Sequence, residues 1–272
     1  MDDIFIRRLF SLDGKTAVVT GGAGGLGSSI SQALLQGGAK VIIVSRNAET
    51  CEKAAQSLRK FGDCDGIVGD LSSEEETARL AENLGSRLNR LDILVNNAGA
   101  TWGESFSKFP WKAWNRAFSV NVFGLFELTK RLKPLLAQSA TPEYPARVIN
   151  LGSVVGTIPL ADNSYSYASS KAAVHHLTKI LANELGKENI TVNALAPGPF
   201  LSKMTAFALG TEAGQAAASE GIPLGRIGNP DDIAGAVLFL CGKAGAYING
   251  AILPVDGGMH IKTQDHMYSL QP

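Results

Sequence analysis

Short apolar runs alternate with longer stretches of helical apolar spacing along almost the whole chain. The runs at 16–20, 40–45, 66–70, 91–95, 147–151, 191–196 and 251–254 are nearly continuous in Val, Ile, Leu and Ala, with little alternation. A strand that reads apolar on both faces is buried on both faces, which is the habit of parallel sheets. The stretches at 25–36, 48–61, 73–88, 110–138, 165–186 and 230–242 carry apolar residues three and four apart and predict amphipathic helices. Strand and helix in regular alternation give an α/β fold of the Rossmann type, a doubly wound parallel sheet of about seven strands with helices on both faces.

No linker, low-complexity segment or internal repeat interrupts this pattern, so the 272 residues are expected to form a single domain. Residues 1–10 form a short extension. The segment 200–221 is longer than most connections and reads as a substrate lid, because doubly wound folds bind ligands beyond the carboxyl ends of their strands. The polar tail 259–272 is expected either to fray or to pack on a neighbouring subunit.

Composition narrows the function. Hydrophobic residues make up 45% and charged residues 18%, enough for an extensive core. The 25 basic and 25 acidic side chains balance without a basic arm or block, which argues against nucleic acid and anionic membranes as partners. Cys51, Cys64 and Cys241 are an odd, scattered set with neither disulfide nor zinc spacing, so no metal is expected. No segment reaches the roughly 20 apolar residues of a membrane span, and the opening MDDIFIRRLF is not a secretory signal. A cytoplasmic location follows as the expectation.

The chemistry concentrates in a few positions. TGGAGGLG, 20–27, joins the first strand to the first long helix; Gly21, Gly25 and Gly27 allow close backbone approach, and the helix N-terminus offers N–H groups to a pyrophosphate. At the end of the second strand, Ser45 and Arg46 stand where a carboxylate would grip a ribose hydroxyl, and Arg46 can pair with a 2′-phosphate, favouring NADP(H) over NAD. Asp70 could accept from an adenine amino group or cap the helix starting near Ser73. In NNAG, 96–99, asparagine amides can tie neighbouring strand ends together and Gly99 lets the backbone pass close to a ligand, the alternative being a plain turn. Asn121 is a polar residue amid Phe118, Val120 and Val122, and a water-mediated path to Lys171 would satisfy it.

Tyr167 and Lys171, four apart, leave one face of a helix together. An ammonium beside a phenol favours the phenolate, which fits Tyr167 for proton transfer. Ser153, just past a strand, can hold a carbonyl or hydroxyl oxygen against that phenol. Tyr165 lacks such a partner, since Ser169 sits four residues on. His175 and His176 read as residues of a packing helix.

In this order the motifs resemble the short-chain dehydrogenase/reductase family along nearly the whole chain: TGGAGGLG, Ser45–Arg46, Asp70–Leu71, NNAG, NVFG at 121–124, Gly152–Ser153, YASSK at 167–171 and APG at 196–198. The stretches GDC, NNAGATWG, PARVINLGSV, IPLGRIG and AGAYINGAILPVDGG resemble its 3-oxoacyl reductase subgroup, which includes the rhamnolipid-pathway reductases. The resemblance implies that Asn121, Ser153, Tyr167 and Lys171 form a catalytic tetrad. It further implies that Leu26, Leu71, Asn97, Pro197, Gly198, Phe200 and Ser202 join the glycine turn, Ser45, Arg46, Asp70, Gly99, Tyr167 and Lys171 in contacting NADP(H). Ser202 departs from the usual threonine but keeps the hydroxyl. The implied reaction interconverts a ketone and a secondary alcohol, most simply reduction of a 3-oxoacyl or similar apolar substrate, in a homotetramer. Trp102, Phe106, Phe200, Leu201, Met204 and Phe207 could line the apolar pocket or merely pack the lid and core. Rival readings are a sugar or polyol dehydrogenase of gluconate type and a dinucleotide-binding regulator without turnover.

Overall fold

The structure, a computed structural model, describes residues 3–160 and 163–263. Seven strands form its central sheet: β1 (Thr16–Thr20), β2 (Lys40–Ser45), β3 (Cys64–Val68), β4 (Ile93–Asn96), β5 (Ala146–Leu151), β6 (Ile190–Pro197) and β7 (Ile252–Val255). All neighbouring strands run parallel, in the order β3-β2-β1-β4-β5-β6-β7. The chain therefore reverses its direction of winding between β1 and β4. A crevice opens at the carboxyl ends of the strands there, because the connections from the two strands leave on opposite sides.

Side chains alternate across the pleat and explain the unbroken apolar runs. Val19, Val41 and Ile43 face the layer made by α2 (Gly25–Gln36), α3 (Ala48–Leu58) and α10 (Pro230–Cys241). Val18, Ile42 and Val44 face the opposite layer, of α4 (Glu74–Arg87), α6 (Leu125–Ser139) and α7 (Tyr165–Leu185). Leu34 and Val237 close the first core, and Leu84, Leu132 and Leu181 the second. With both faces covered, these side chains are predominantly apolar.

Several boundaries differ from the sequence expectation. β3 starts and ends two residues earlier than 66–70, because Asp70 turns its side chain back on the backbone: Oδ1 accepts from Leu71 N–H at 2.7 Å and Ser72 N–H at 3.0 Å. β4 begins at Ile93 rather than residue 91. The helix expected over 48–61 ends at Leu58 and tightens into a 3-10 turn, Arg59–Phe61. The helix expected over 110–138 is three pieces: α5 (Trp111–Phe118), a π-helical turn (Ser119–Gly124) and α6. The extension folds as α1 (Asp3–Phe10), and the lid segment contains α8 (Ala206–Leu209) and α9 (Glu212–Glu220). Of the tail, Met259–Ile261 forms a 3-10 turn, and the rest of that expectation lies outside the described residues.

Candidate active site

Two hollows of about 310 and 460 Å³ meet along Gly21, Ala98 and Gly99 to make one cleft over the carboxyl ends of β1, β4 and β5. Its floor is the turn from β1 into α2. Gly25 sits at φ +54°, and a Cβ at Gly27 would come within 2.3 Å of the Gly21 carbonyl oxygen. Only glycine at these positions lets the turn close and present the N-terminus of α2 to the cleft. Asn97 fastens the turn from the next strand, donating from Nδ2 to the carbonyls of Thr20 (2.9 Å) and Gly21 (3.1 Å). One strand further, Asn96 donates to Asn150 Oδ1 at 2.9 Å, so asparagine amides do tie neighbouring strand ends.

Ser45, Arg46, Asp70 and Leu71 line the far end of the cleft. The helix-capping alternative for Asp70 fails: Ser73 is the residue that caps α4, accepting from Glu76 N–H at 3.3 Å. Arg116 of α5, not singled out from the sequence, faces the same end as Arg46. Leu26, Asn97, Pro197, Gly198, Phe200 and Ser202 line the near end, with Gly25. Lys203, Met204 and Thr205 join them, and Thr205 is the hub of that loop. Its hydroxyl donates to Phe200 O at 2.6 Å, accepts from Ser202 N–H at 2.9 Å and lies 3.0 Å from Ser202 Oγ. A helix-free stretch gives no sequence signal for such local bonds.

Ser153, Tyr167 and Lys171 share one wall of the near end. Lys171 Nζ lies 5.5 Å from the centroid of the Tyr167 ring and donates to Leu151 O at 2.5 Å. Lys171 is buried, and burial lowers its ammonium to about 8. It still carries its charge at neutral pH, as a phenol-activating cation must. Tyr167 is half-buried at the mouth, on the face of α7 that Tyr165 avoids; Tyr165 instead stacks edge-on against Phe106 and Phe109.

Asn121 stands behind this wall and does not line the cleft. The π-helical turn swings its amide inward, where it is buried and bonded to protein groups. Oδ1 accepts from Ala100 N–H at 2.7 Å, and Nδ2 donates to Ala100 O at 3.0 Å and to Ser170 Oγ at 2.8 Å. These bonds give both ends of the amide protein partners. A Cβ at Gly99 would lie 3.5 Å from Asn121 Oδ1 and 3.8 Å from Lys171 Nζ, so the NNAG backbone passes between the amide and the amine.

The two histidines separate. His176 is exposed, whereas His175 is buried directly beneath Ser153, and burial, with Lys171 and Lys179 nearby, lowers it to about 4. Of the apolar candidates, Phe200 and Met204 line the cleft. Phe207 is 93% exposed, and Leu201 is also exposed. Phe106 borders a separate hollow of about 430 Å³ with Phe109, Trp114, Leu160 and Tyr165. Trp102 lies under Lys112, whose Nζ is 5.3 Å from its ring.

A glycine floor at a helix N-terminus, a guanidinium at one end and a phenol–amine pair at the other fit an elongated phosphorylated dinucleotide. The chain belongs to the short-chain dehydrogenase/reductase family of oxidoreductases: the family model described as enoyl-(acyl carrier protein) reductase matches residues 21–260. It is 46% identical over 252 residues, 93% of this chain and 98% of the other, to the rhamnolipids biosynthesis 3-oxoacyl-[acyl-carrier-protein] reductase of Pseudomonas aeruginosa. Its fold matches the Pseudomonas aeruginosa RhlG/NADP active-site complex with a TM-score of 0.91 at 46% identity, covering 93% of this chain and 99% of that one. A gluconate 5-dehydrogenase from Burkholderia cenocepacia, solved with NADP and tartrate, matches with a TM-score of 0.87 at 28% identity, over 95% of this chain and 100% of that one.

Proposed function

We propose that this chain is an NADP(H)-dependent reductase that converts a 3-oxoacyl or similar apolar ketone to the secondary alcohol, with Tyr167 as general acid. The observation that carries the reading is the near-end wall: a phenol at the cleft mouth, a buried amine 5.5 Å from its ring, and a serine beside both. The sequence relationship to a 3-oxoacyl reductase, and the match to a structure with NADP, support the substrate class and the cofactor.

Arg46 would pair with the 2′-phosphate, and the N–H groups at the start of α2 with the pyrophosphate. Asp70, with Oδ1 already engaged by its own backbone, would meet the adenine end. Lys171 would hold the nicotinamide ribose. When bound, the reduced nicotinamide supplies the electron pair and hydrogen that reach the carbonyl carbon. Ser153 Oγ would hydrogen-bond the carbonyl oxygen and fix its distance from Tyr167. Tyr167 gives its proton to that oxygen as negative charge develops there. Lys171 keeps the resulting phenolate paired with a cation. Asn121 holds the Ala100 backbone and the Ser170 hydroxyl of α7, keeping the wall in shape. We take residues 1–272 as one cytoplasmic domain, assembled as a homotetramer.

Tyr167→Phe is expected to lower the rate of NADPH oxidation with a 3-oxoacyl thioester by roughly a hundred- to ten-thousand-fold, the usual worth of a positioned acid. NADPH binding, followed by fluorescence, should persist. Near-normal turnover would falsify the assignment of the acid. Running the same assay over gluconate-type sugars in the oxidative direction tests the rival suggested by the gluconate dehydrogenase neighbour.

A further inference from the structure

Ser153 occupies an awkward place in the backbone. The ladder between β5 and β6 ends just before it: Gly152 N–H still bonds to Leu195 O at 2.8 Å, while Ser153 begins the turn into the 3-10 segment Val154–Gly156. Its carbonyl is used by Gly156 N–H at 3.0 Å, and its hydroxyl receives Val155 N–H at 3.4 Å. The Ser153 N–H, buried, needs an acceptor from elsewhere. That acceptor is Nε2 of His175, 3.4 Å away and two turns along α7 from Tyr167.

Because Nε2 accepts an N–H, it carries no proton, so the proton of the neutral ring sits on Nδ1. Nδ1 lies 3.4 Å from Thr157 Oγ1, at the other end of the same turn. The ring thus holds the turn at both of its ends, by the N–H of Ser153 and the hydroxyl of Thr157. The turn closes tightly over it: a Cβ at Gly152 would come within 2.2 Å of Nε2, and one at Gly156 within 2.9 Å of Cε1. The helix that sets the phenol and amine therefore also sets the serine opposite them.

We infer that His175 is a positioning residue for the reaction, an imidazole that holds Ser153 at the correct distance from Tyr167 through the Ser153 N–H and Thr157. The inference rests on the reading above, in which Ser153 holds the substrate oxygen. It assigns His175 no contact with substrate or cofactor and no proton transfer.

The test is a double-mutant cycle on the full chain. His175→Leu is expected to lower kcat about ten- to a hundredfold, as misplacement by a fraction of an ångström does, with KM for NADPH unchanged. His175→Gln can still present an acceptor to the Ser153 N–H and should return kcat to within about threefold of the native value, even if both variants lose the same melting temperature. In a Ser153→Ala background, His175→Leu should cost almost nothing further, because the group it positions is gone. Unchanged kcat in His175→Leu, equal losses in Gln and Leu, or additive losses with Ser153→Ala would each overturn the inference. Full turnover in Ser153→Ala alone would instead overturn the reading of the site. If His175→Leu does not fold, Thr157→Val, at an exposed position, removes the hydroxyl that anchors Nδ1 of the ring and should lower kcat several-fold; native kcat there counts against the inference.

Discussion

Lys171 is 4% exposed, and burial lowers its ammonium from 10.5 to about 8. It is charged at pH 7 and loses its proton through pH 8, so any cofactor contact that uses the ammonium weakens above that pH. The sign follows from linkage: a ligand that prefers the protonated amine binds best below the free-protein pKa and raises that pKa when bound. Titration of NADPH by fluorescence is therefore expected to give a constant Kd up to about pH 7.5 and a rise of up to about tenfold by pH 9. Lys171→Met should bind more weakly throughout and lose the pH dependence. At this scale the sequence is readable where partners are close along the chain. Tyr167 and Lys171 stand four residues apart on one helix, and their companionship follows from helical geometry alone. The role of His175 is not readable, because its partner Ser153 is 22 positions earlier and meets it only where the turn after β5 packs on α7. The partners of the Asn121 amide are unreadable for the same reason: Ala100 and Ser170 come from two other segments.

Elements were legible to the extent that their ends are fixed locally. α2 and β2 fall where the apolar spacing puts them, and α10 carries its own start signal in Asn229-Pro230-Asp231-Asp232. Asn229 Oδ1 accepts from Asp231 N–H at 3.0 Å and from Asp232 N–H, and Asp232 returns a bond to Asn229 N–H at 2.8 Å. Arg226 grips the same carboxylate at 2.6 and 2.9 Å and holds it below the usual carboxylate range. Asn229→Ala is expected to cost about 1 kcal/mol, or about 2–4 °C in Tm by differential scanning calorimetry. The break of the helix at Ser119–Gly124 had no such signal. A π-helical turn is a poor local bargain, and its sequence of Ser, Val, Asn, Val, Phe and Gly reads as ordinary helix. The tertiary bonds of Asn121 compensate for it, and they are invisible in one dimension.

At the scale of the whole molecule, α6 and α7 carry apolar side chains on their outer faces. Phe126 is 40% exposed and Ile180 52%; Phe126 borders a shallow groove with Phe123 and Leu177. The proposed tetramer would cover these faces. Light scattering on the purified protein is expected to give four times the 28.6 kDa chain mass, and Phe126→Asp with Ile180→Asp to give smaller species. A native monomer would overturn the assembly. The substrate class also belongs to this scale. Phe200, one of the six apolar candidates, is largely buried and covers Gly228, leaving Met204 and the loop around Thr205 to shape the near end.

By itself, the sequence determined which segments become strands and helices, because apolar periodicity and burial are set by neighbours along the chain. It also determined that Tyr167 and Lys171 leave one face of α7 together, because four residues are about one helical turn. Only the tertiary structure decided how the sheet is ordered, that its reversal between β1 and β4 opens the cleft, and that a histidine from α7 braces the serine across from it. Those facts depend on distances through space between residues remote in sequence, which local propensity does not encode.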